Sequence, residues 1–305
     1  MVVASERSRS WILRLCGRMV LSDWVIARVR HPLILTLLWQ VARDIGHPAA
    51  ARLQVVLAAP EKPFPEGDYV SPGLARVQPD ACFPNLTIGD QRNNDWAYLR
   101  RDSPHIWYVD RRLPHIGFVN RDEAHILYNT ALQATGLPAL EIGCLLGWST
   151  CHLALAGLQL DIVDPFLAHP DCIQSVTASL EAAGVLHHCR FVPEESPSAV
   201  ERLAAEGRRW NFIFIDGNHG APGPVVDAQA CASFAAPDCI VLFHDLYAPA
   251  VAEGLRHFKR EGWNIRIYNT SQVMGAAWRG AMRPIDHMPD PRLGTILPPH
   301  LDDLL

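Results

Sequence analysis

Two glycines with the spacing of a ligand-binding turn lie near the middle of the chain, in Glu141-Ile-Gly143-Cys-Leu-Leu-Gly147-Trp-Ser149-Thr150. They follow an apolar run that is typical of a buried strand. Glycine tolerates positive φ and lets a ligand approach the backbone closely, so the pair predicts a strand-to-helix turn at a binding site. Ser149 and Thr150 fall where the next helix begins and can cap its free amides.

The same turn lacks the glycines of a dinucleotide site. A G-x-G-x-x-G fingerprint that started at Gly143 would need glycine where the chain has Leu145 and Trp148. Those glycines let backbone approach a pyrophosphate and let the helix pack closely on the strand. The lysine of a phosphate-binding loop is absent from the turn as well. The turn therefore disfavours NAD and FAD and predicts a nucleoside ligand without a diphosphate.

The next two apolar runs end in polar residues that suit a nucleoside. Asp164 closes the first of them, 17 residues beyond Gly147, and its carboxylate can accept the hydroxyl protons of a ribose. The second ends in Glu195-Ser196, which is placed to bond an adenine edge. Ligands of open α/β sheets bind at the carboxyl ends of strands, so these residues belong to one predicted site.

Residues capable of proton chemistry follow two further apolar runs, in Asp216-Gly-Asn-His219 and in His244-Asp245. Neighbouring strands lie about 4.8 Å apart, so these side chains come within reach of one another if the two strands pair. Two carboxylates that close repel each other unless a cation or a proton lies between them. Histidine titrates near neutral pH, which makes His219 a candidate general base.

Strands and helices alternate from residue 121 onward and position these residues. Asn264–Tyr268 and Val273–Trp278 flank a polar turn and predict an antiparallel hairpin. The alternation predicts an α/β fold, with a doubly wound, mostly parallel sheet covered by helices on both faces. Ser198-Ala-Val-Glu201 has the pattern of a capping box and predicts a helix start. We expect Asp227 to be solvated or to contact a helix surface.

Residues from about 121 to 280 resemble class I S-adenosylmethionine-dependent methyltransferases. The closest resemblance is to a bacterial branch with the motifs E-I-G-x-x-x-G-x-S-T, F-I-D-G-x-H and H-D, which this chain carries in that order. The branch includes macrolide-sugar O-methyltransferases and is similar to the cephalosporin-hydroxylase group. The resemblance implies a seven-stranded sheet with one antiparallel strand. It also implies S-adenosylmethionine as cofactor and O-methylation of a small molecule, such as a sugar or a hydroxylated natural product.

The resemblance assigns the cofactor-binding residues by position. The glutamate and the two glycines of the turn contact the methionine moiety, the aspartate after the second strand holds the ribose, and the serine after the third bonds the adenine. Ser149 and Asp216 join this set. The expected cofactor-binding residues are thus Glu141, Gly143, Gly147, Ser149, Asp164, Ser196 and Asp216.

The resemblance also implies a catalytic set and a metal site. Catechol-type relatives hold a divalent metal with an aspartate after the fourth strand and an Asp-Asn pair after the fifth. Here Asp216 matches the first and His244-Asp245 falls at the pair. We therefore expect Asp216, His244 and Asp245 at a site for Mg²⁺ or another divalent metal, although His244 departs from the pattern. In the macrolide-sugar enzymes the histidine at the position of His219 is the base, so the expected catalytic residues are His219, Asp216 and Asp245.

Composition excludes several other classes of protein. The 305 residues carry a formal net charge of −5, which argues against a nucleic-acid binder. The eight cysteines form no CxxC pair and are typical of reduced cytoplasmic thiols. No run of about 18 apolar residues predicts a membrane span. We expect a cytoplasmic homo-oligomer that acts on a small-molecule acceptor.

The chain divides into four predicted parts: an N-terminal helical extension at 1–57, a Pro-rich irregular segment at 58–120, a cofactor-binding domain at 121–283 and an irregular tail at 284–305. The Pro-rich segment is either a lid or substrate loop or a plain wrapping segment. In the extension, arginines alternate with apolar residues at helical spacing, and His31-Pro32 predicts a helix start. Packing of these helices on the domain or a partner subunit is favoured over contact with a membrane surface.

Two other functions stay open from the sequence, because a fold does not fix a function. One is a hydroxylase-like member of the same fold. The other is a non-catalytic nucleoside-binding protein.

Overall fold

The computed structural model describes residues 32–44, 68–89, 106–293 and 297–305. The helices predicted near Trp11 and Val20 lie outside these ranges, whereas the helix predicted to begin at His31-Pro32 is present. No helix in the described ranges combines the length and the apolar character needed to cross a membrane. The cysteines in these ranges are free thiols.

Nine strands are present in the described residues, and seven of them form one central sheet. The strands are β1 (Leu86–Ile88), β2 (Tyr108–Asp110), β3 (Pro138–Ile142), β4 (Gln159–Val163), β5 (Cys189–Val192), β6 (Trp210–Ile215), β7 (Ala235–Phe243), β8 (Asn264–Tyr268) and β9 (Met274–Arg279). The central sheet has the order β5-β4-β3-β6-β7-β9-β8. All of its neighbouring pairs are parallel except β7–β9 and β8–β9. The predicted fold class and the predicted hairpin are confirmed.

Seven α-helices lie in the described residues, and the last five connect consecutive strands of this sheet. They are α1 (Pro32–Asp44), α2 (Arg121–Ala131), α3 (Trp148–Leu155), α4 (Pro170–Ala182), α5 (Ser198–Ala205), α6 (Gly223–Phe234) and α7 (Pro249–Arg260). The chain leaves β3 in one direction through β4 and β5 and then returns to β6 on the other side. The order therefore reverses at β3, where open α/β sheets bind ligands.

Two apolar cores lie on opposite faces of the sheet, because successive side chains of a strand point to opposite faces. Ala139, Phe212 and Phe214 belong to the core that includes residues of α2, α3 and α4. Ile213 and Ile215 belong to the core that includes residues of α5, α6 and α7. Phe212 and Phe214 are fully buried, and each such side chain contributes about 1.5–3 kcal/mol by leaving water. Burial on both faces explains why the strands are almost continuously apolar.

The segment before the domain is attached to α2 through Arg121. Its guanidinium pairs with Asp80, lies 3.4 Å from Asp68 and stacks over the ring of Tyr108. In the same segment β1 and β2 pair as an antiparallel ladder. The prediction of an irregular segment is wrong for these two runs, because no proline interrupts either of them.

Two further details differ from the sequence predictions. The tail contains a 3₁₀ turn at Pro299–Leu304, whose Leu301 and Leu304 are buried because residues three apart lie on one face of such a turn. The predicted capping box at Ser198 does not form. Ser198 lies inside the first turn of α5, and its hydroxyl donates instead to the carbonyl of Glu195, at 2.9 Å.

Candidate active site

The glycine turn after β3 needs glycine at both predicted positions. Gly143 and Gly147 have φ angles of +85° and +82°. A Cβ at Gly143 would lie 2.1 Å from the carbonyl oxygen of Asp216, so the turn after β3 touches the loop after β6. A Cβ at Gly147 would lie 3.0 Å from Val176 of α4. Gly143 lines a cavity, whereas Gly147 faces α4 and supports the turn from outside it.

Asp164 follows β4 and binds the turn directly. Its Oδ2 accepts hydrogen bonds from the amides of Cys144 and Leu145, at 2.7 and 2.8 Å, and its Oδ1 accepts one from the amide of Phe166, at 2.8 Å. Asp164 is buried but lines the cavity. Oδ2 uses both of its lone pairs on the turn, whereas Oδ1 keeps a second one, so this side chain can shape the turn and still accept a hydroxyl proton from a ligand.

Glu141 lies beneath the turn and does not line the cavity. Ser149 Oγ and Thr150 Oγ1 each donate to one of its carboxylate oxygens, both at 2.6 Å. Burial raises the pKa of Glu141 to about 8 against the opposing effect of these two hydrogen bonds. Glu141 therefore carries a proton at neutral pH and supports the turn from below, whereas Ser149 reaches the cavity.

Ser196, the expected adenine contact, follows β5 and lines the cavity. Its hydroxyl lies 2.5 Å from Oδ1 of Asp227, to which it donates. Asp227 is buried, so the expectation of a solvated side chain is wrong. It lies on the face of α6 that turns toward the loop after β5. With its own proton donated to Asp227, the Ser196 oxygen remains an acceptor for a ligand N–H.

The loops after β6 and β7 bring together the four residues that the sequence selected for proton chemistry. Nε2 of His219 lies 3.4 Å from Oδ1 of Asp216 and 3.2 Å from Oδ2 of Asp245. Nδ1 of His244 lies 3.5 and 3.3 Å from the same two oxygen atoms. Two carboxylates are thus bridged by two imidazoles. All four side chains line the cavity.

The imidazoles determine the charge state of this cluster. Burial would raise the pKa of Asp216, but the charge of His244 and hydrogen bonds from both imidazoles lower it to about 2. Burial would lower the pKa of His219, but its bond to Asp216 and the charge of Asp245 raise it. Asp245 adopts a positive φ of 56°, a conformation that costs a non-glycine residue energy and is frequent at functional sites.

Glu123 completes the cluster, and the sequence analysis missed it. Its Oε2 lies 3.1 Å from Nε2 of His244, although 121 residues separate the two in the chain. Glu123 also forms the capping box of α2 with Asn120, in which each side chain accepts from the backbone amide of the other, at 2.9 and 3.0 Å. Asn-x-x-Glu is a sequence signal for a capping box, so the helix start could have been found from it. The contact with His244 has no such signal.

Three side chains of this cluster are placed as ligands of a divalent metal would be. One potential ligand atom each from Asp216, His219 and Asp245 lies within 4.8 Å of the others. The predicted ligands Asp216 and Asp245 belong to this group, and Nδ1 of the predicted ligand His244 lies 3.5 and 3.3 Å from the same two carboxylates. Carboxylate oxygens and imidazole nitrogens are common ligands of divalent metals. Burial alone would lower the pKa of His244, but the charges of Asp245, Asp216 and Glu123 raise it well above its usual value.

The cavity has a volume of about 460 Å³ and joins both groups of residues. Opposite the sheet it has an apolar wall formed by Trp107, Ile116 and Phe118, next to β2. Part of the segment predicted as a lid or substrate loop therefore lines the site. The wall lies 20 or more residues before the first motif, and only its aromatic content pointed to it in the sequence.

The strand order, with the antiparallel hairpin of β8 and β9 at one edge, is that of the class I methyltransferase fold. Residues 140–246, about a third of the chain, match the family model of a methyltransferase domain. The matched residues include the glycine turn, Asp164 and the loop after β6. The chain therefore contains a methyltransferase domain.

Several solved structures resemble the chain at low sequence identity. Cofactor-bound Rv0187 from MTB is 19% identical, with a TM-score of 0.47 over 53% of this chain and 81% of that chain. The O-methyltransferase TomG from Streptomyces achromogenes, in complex with SAM, is 19% identical, with a TM-score of 0.45 over 53% and 82%. An O-methyltransferase from Bacillus cereus, in complex with SAH, is 15% identical, with a TM-score of 0.42 over 51% and 80%. A comparison with curated proteins finds no match.

Proposed function

We propose that the protein transfers the methyl group of S-adenosylmethionine to a hydroxyl oxygen of a small molecule, with His219 as general base. One observation carries this proposal: the glycine turn and the His219 cluster line the same cavity. A methyltransferase must hold the sulfonium methyl close to, and in line with, the attacking oxygen. A cavity that has a cofactor turn on one side and a base on the other meets that requirement.

The charges around the cavity favour a cationic cofactor. Its described lining includes the carboxylates of Asp164, Glu195, Asp216 and Asp245 and contains no lysine or arginine. A sulfonium ion is attracted to such a surface, whereas a diphosphate is repelled by it. Asp164 accepts a ribose hydroxyl through the remaining lone pair of Oδ1, and Ser196 accepts the adenine amino group.

The reaction needs one proton acceptor. The bond between sulfur and the methyl carbon breaks as the bond between that carbon and the acceptor oxygen forms, and S-adenosylhomocysteine leaves. The hydroxyl proton passes to His219. When Nε2 of His219 carries the proton that faces Asp216 and Asp245, Nδ1 is the basic nitrogen, as in other carboxylate–histidine pairs. The two carboxylates then stabilise the imidazolium that forms.

The acceptor has an apolar body that carries a hydroxyl group. Trp107, Ile116 and Phe118 offer it an apolar surface. Oδ1 of Asp245 is buried and has no hydrogen-bond partner in the described part of the chain. A buried carboxylate oxygen of this kind needs a donor, which a second hydroxyl group of the acceptor supplies. These features favour a hydroxylated natural product over a free sugar.

The test is an assay with methyl-labelled S-adenosylmethionine and two sets of acceptors, hydroxylated aromatic compounds and free sugars. We expect labelled product and S-adenosylhomocysteine with the aromatic set. A product that gains the mass of an oxygen atom would indicate the hydroxylase-like alternative. Binding of S-adenosylmethionine by calorimetry, with no transfer to any acceptor, would instead indicate a nucleoside-binding protein and contradict the proposal.

A further inference from the structure

Asp227 is a buried acid behind the wall of the cavity. It lies on α6, is 2% exposed and does not line the cavity. Its Oδ1 accepts the hydroxyl of Ser196 at 2.5 Å, and a Cβ at Gly217 would lie 3.7 Å from its Oδ2. Ser196 and Gly217 both line the cavity. Asp227 therefore reaches a bound ligand only through its neighbours, and Ser196 is the polar one of the two.

Asp227 neither caps a helix nor belongs to an ion pair within the described residues. Helix α6 begins at Gly223, so Asp227 lies in its second turn, and the hydroxyl of Ser196 is the group that donates to its carboxylate. Burial raises the pKa of Asp227 above its usual value, whereas the bond from Ser196 opposes that rise. A buried acid with one neutral donor costs free energy, and such a group beside a cavity is a candidate for a functional role.

The packing of α5 beside α6 brings Ser196 and Asp227 together, although 31 residues separate them in the chain. Ser196 lies two residues before α5 begins. Apolar residues of both helices, among them Val200 of α5 and Cys231 of α6, belong to one core. Asp227 precedes Cys231 by about one helical turn, so the two lie on the same face of α6. The helix face that packs into the core therefore also presents the acid to the loop after β5.

The bond to Asp227 determines what Ser196 can offer to a ligand. A serine hydroxyl has one hydrogen and two lone pairs, so it can donate or accept, whereas an ionised carboxylate can only accept. While the Ser196 hydroxyl donates to Asp227, its oxygen presents only lone pairs to the cavity. The 6-amino group of adenine is a donor and suits such an oxygen. The 6-oxo group of hypoxanthine is an acceptor and does not.

We infer that Asp227 is a positioning residue that makes Ser196 selective for the amino group of adenine over the oxo group of hypoxanthine. The inference rests on the proposed binding of S-adenosylmethionine with its adenine at Ser196. Asp227 then touches neither the cofactor nor the reacting atoms and acts by setting the direction of the Ser196 hydroxyl. With hypoxanthine in place of adenine, two acceptor oxygens would meet with no hydrogen between them, which a site built for a donor rejects.

The first test measures the nucleoside preference of the unaltered full chain by calorimetry, with S-adenosylhomocysteine and S-inosylhomocysteine as ligands and no methyl acceptor needed. We expect S-adenosylhomocysteine to bind about ten- to a hundredfold more tightly. Equal affinities, or tighter binding of the inosyl compound, would overturn the inference, whether or not any variant folds. Binding of neither compound would instead defeat the proposed function, and the inference with it.

The second test uses Asp227→Asn to separate positioning from support of the fold. The variant keeps the shape of the side chain, but an amide can donate as well as accept, so the Ser196 hydroxyl can turn toward an oxo group. We expect the preference for the adenine compound to fall by about tenfold. Asp171→Asn makes the same change at an exposed carboxylate of α4 and should keep the preference. Equal weakening of both ligands by Asp227→Asn would show a purely structural role and overturn the inference.

The third test shows whether Asp227 acts through Ser196. Ser196→Ala removes the hydroxyl that meets the ligand and should lower the preference as Asp227→Asn does. If Asp227 acts only through that hydroxyl, adding Asp227→Asn to Ser196→Ala changes the preference no further. A further loss in the double variant, as large as that of Asp227→Asn alone, would show that Asp227 acts by another route and would overturn the inference.

Discussion

The two halves of the cavity balance the negative charge of their carboxylates with different groups. In the cofactor half, after β3 and β4, the backbone amides of Cys144 and Leu145 compensate Asp164. Glu141 beneath them has a pKa of about 8 because of burial and is neutral. In the reaction half, after β6 and β7, imidazoles compensate Asp216 and Asp245. The groups that balance the carboxylates are therefore fixed backbone dipoles in one half and titratable side chains in the other.

This difference separates binding from chemistry. Backbone amides keep their charge distribution at any pH, so the cofactor half is expected to set affinity. The reaction half gains or loses protons and is expected to set the rate. A substitution confined to one half should change either the affinity for S-adenosylmethionine or the rate of methyl transfer. A substitution where the two halves touch should change both.

The largest effect is expected for His219→Ala. Loss of a general base lowers kcat by about 10²–10⁴-fold. Affinity for S-adenosylmethionine, measured by calorimetry, should stay the same because His219 lies in the reaction half. His187→Ala removes an exposed histidine and serves as the control. A loss of affinity as large as the loss of rate would break the separation between the halves.

The second prediction concerns Gly143, where the two halves touch. In Gly143→Ala the new Cβ would lie 2.1 Å from the carbonyl oxygen of Asp216, so the backbone of both halves must shift. Gly136 also has a positive φ, of 79°, but no atom lies within 4 Å of its Cβ position. Gly136→Ala should therefore cost only the conformational strain, about 1–2 kcal/mol.

We expect Gly143→Ala to lower the free energy of unfolding by more than its control does, and to lower both affinity and rate. Urea denaturation of Gly143→Ala and Gly136→Ala measures the difference in the free energy of unfolding. Calorimetry measures the affinity for S-adenosylmethionine, and the methyl-transfer assay measures the rate. Equal losses of stability in the two variants would show that the halves are not in close contact there.

The cofactor half could be predicted from the sequence because its residues are local. The glycine turn, Ser149 and Asp164 lie within 22 residues, and strand ends in an open parallel sheet meet at one edge. Strand and helix positions followed from apolar runs buried on both faces. These features need no knowledge of distant contacts.

The reaction half could be predicted only in part. Asp216, His219, His244 and Asp245 follow strands and were found, but the carboxylate that faces Nε2 of His244 comes from α2, 121 residues away in the chain. The position of Trp107 against the cavity could not be predicted from the sequence either, because it depends on how the segment before α2 packs.

The third prediction is a loss of cofactor affinity in Asp164→Ala. The variant removes the acceptor of two turn amides and of the expected ribose hydroxyl, which should cost about 1.5–3 kcal/mol, roughly a ten- to hundredfold loss. At saturating S-adenosylmethionine, kcat should change little. Asp171→Ala, at an exposed carboxylate of α4, is the control. Unchanged affinity in a folded Asp164→Ala variant, measured by calorimetry, would remove Asp164 from the cofactor site.

The fourth prediction tests whether Glu141 is neutral beneath the glycine turn. The pKa of Glu141 rises from 4.5 to about 8 through burial, so the folded protein binds this proton more tightly than the unfolded chain does. Stability from this group is therefore greatest below pH 4.5 and falls as the pH rises toward 8. The slope is at most about 1.4 kcal/mol per pH unit. Glu141→Gln, which stays neutral, should lack this slope.

Urea denaturation of the unaltered protein and of Glu141→Gln across this pH range isolates the contribution, because the other titrating groups cancel in the difference. We expect the variant to gain stability relative to the unaltered protein as the pH rises. A difference that does not change with pH, or that changes in the opposite sense, would mean that Glu141 is ionised beneath the turn. The cofactor half would then contain a second ionised carboxylate beside Asp164, and the hydroxyls of Ser149 and Thr150 would have to balance its charge.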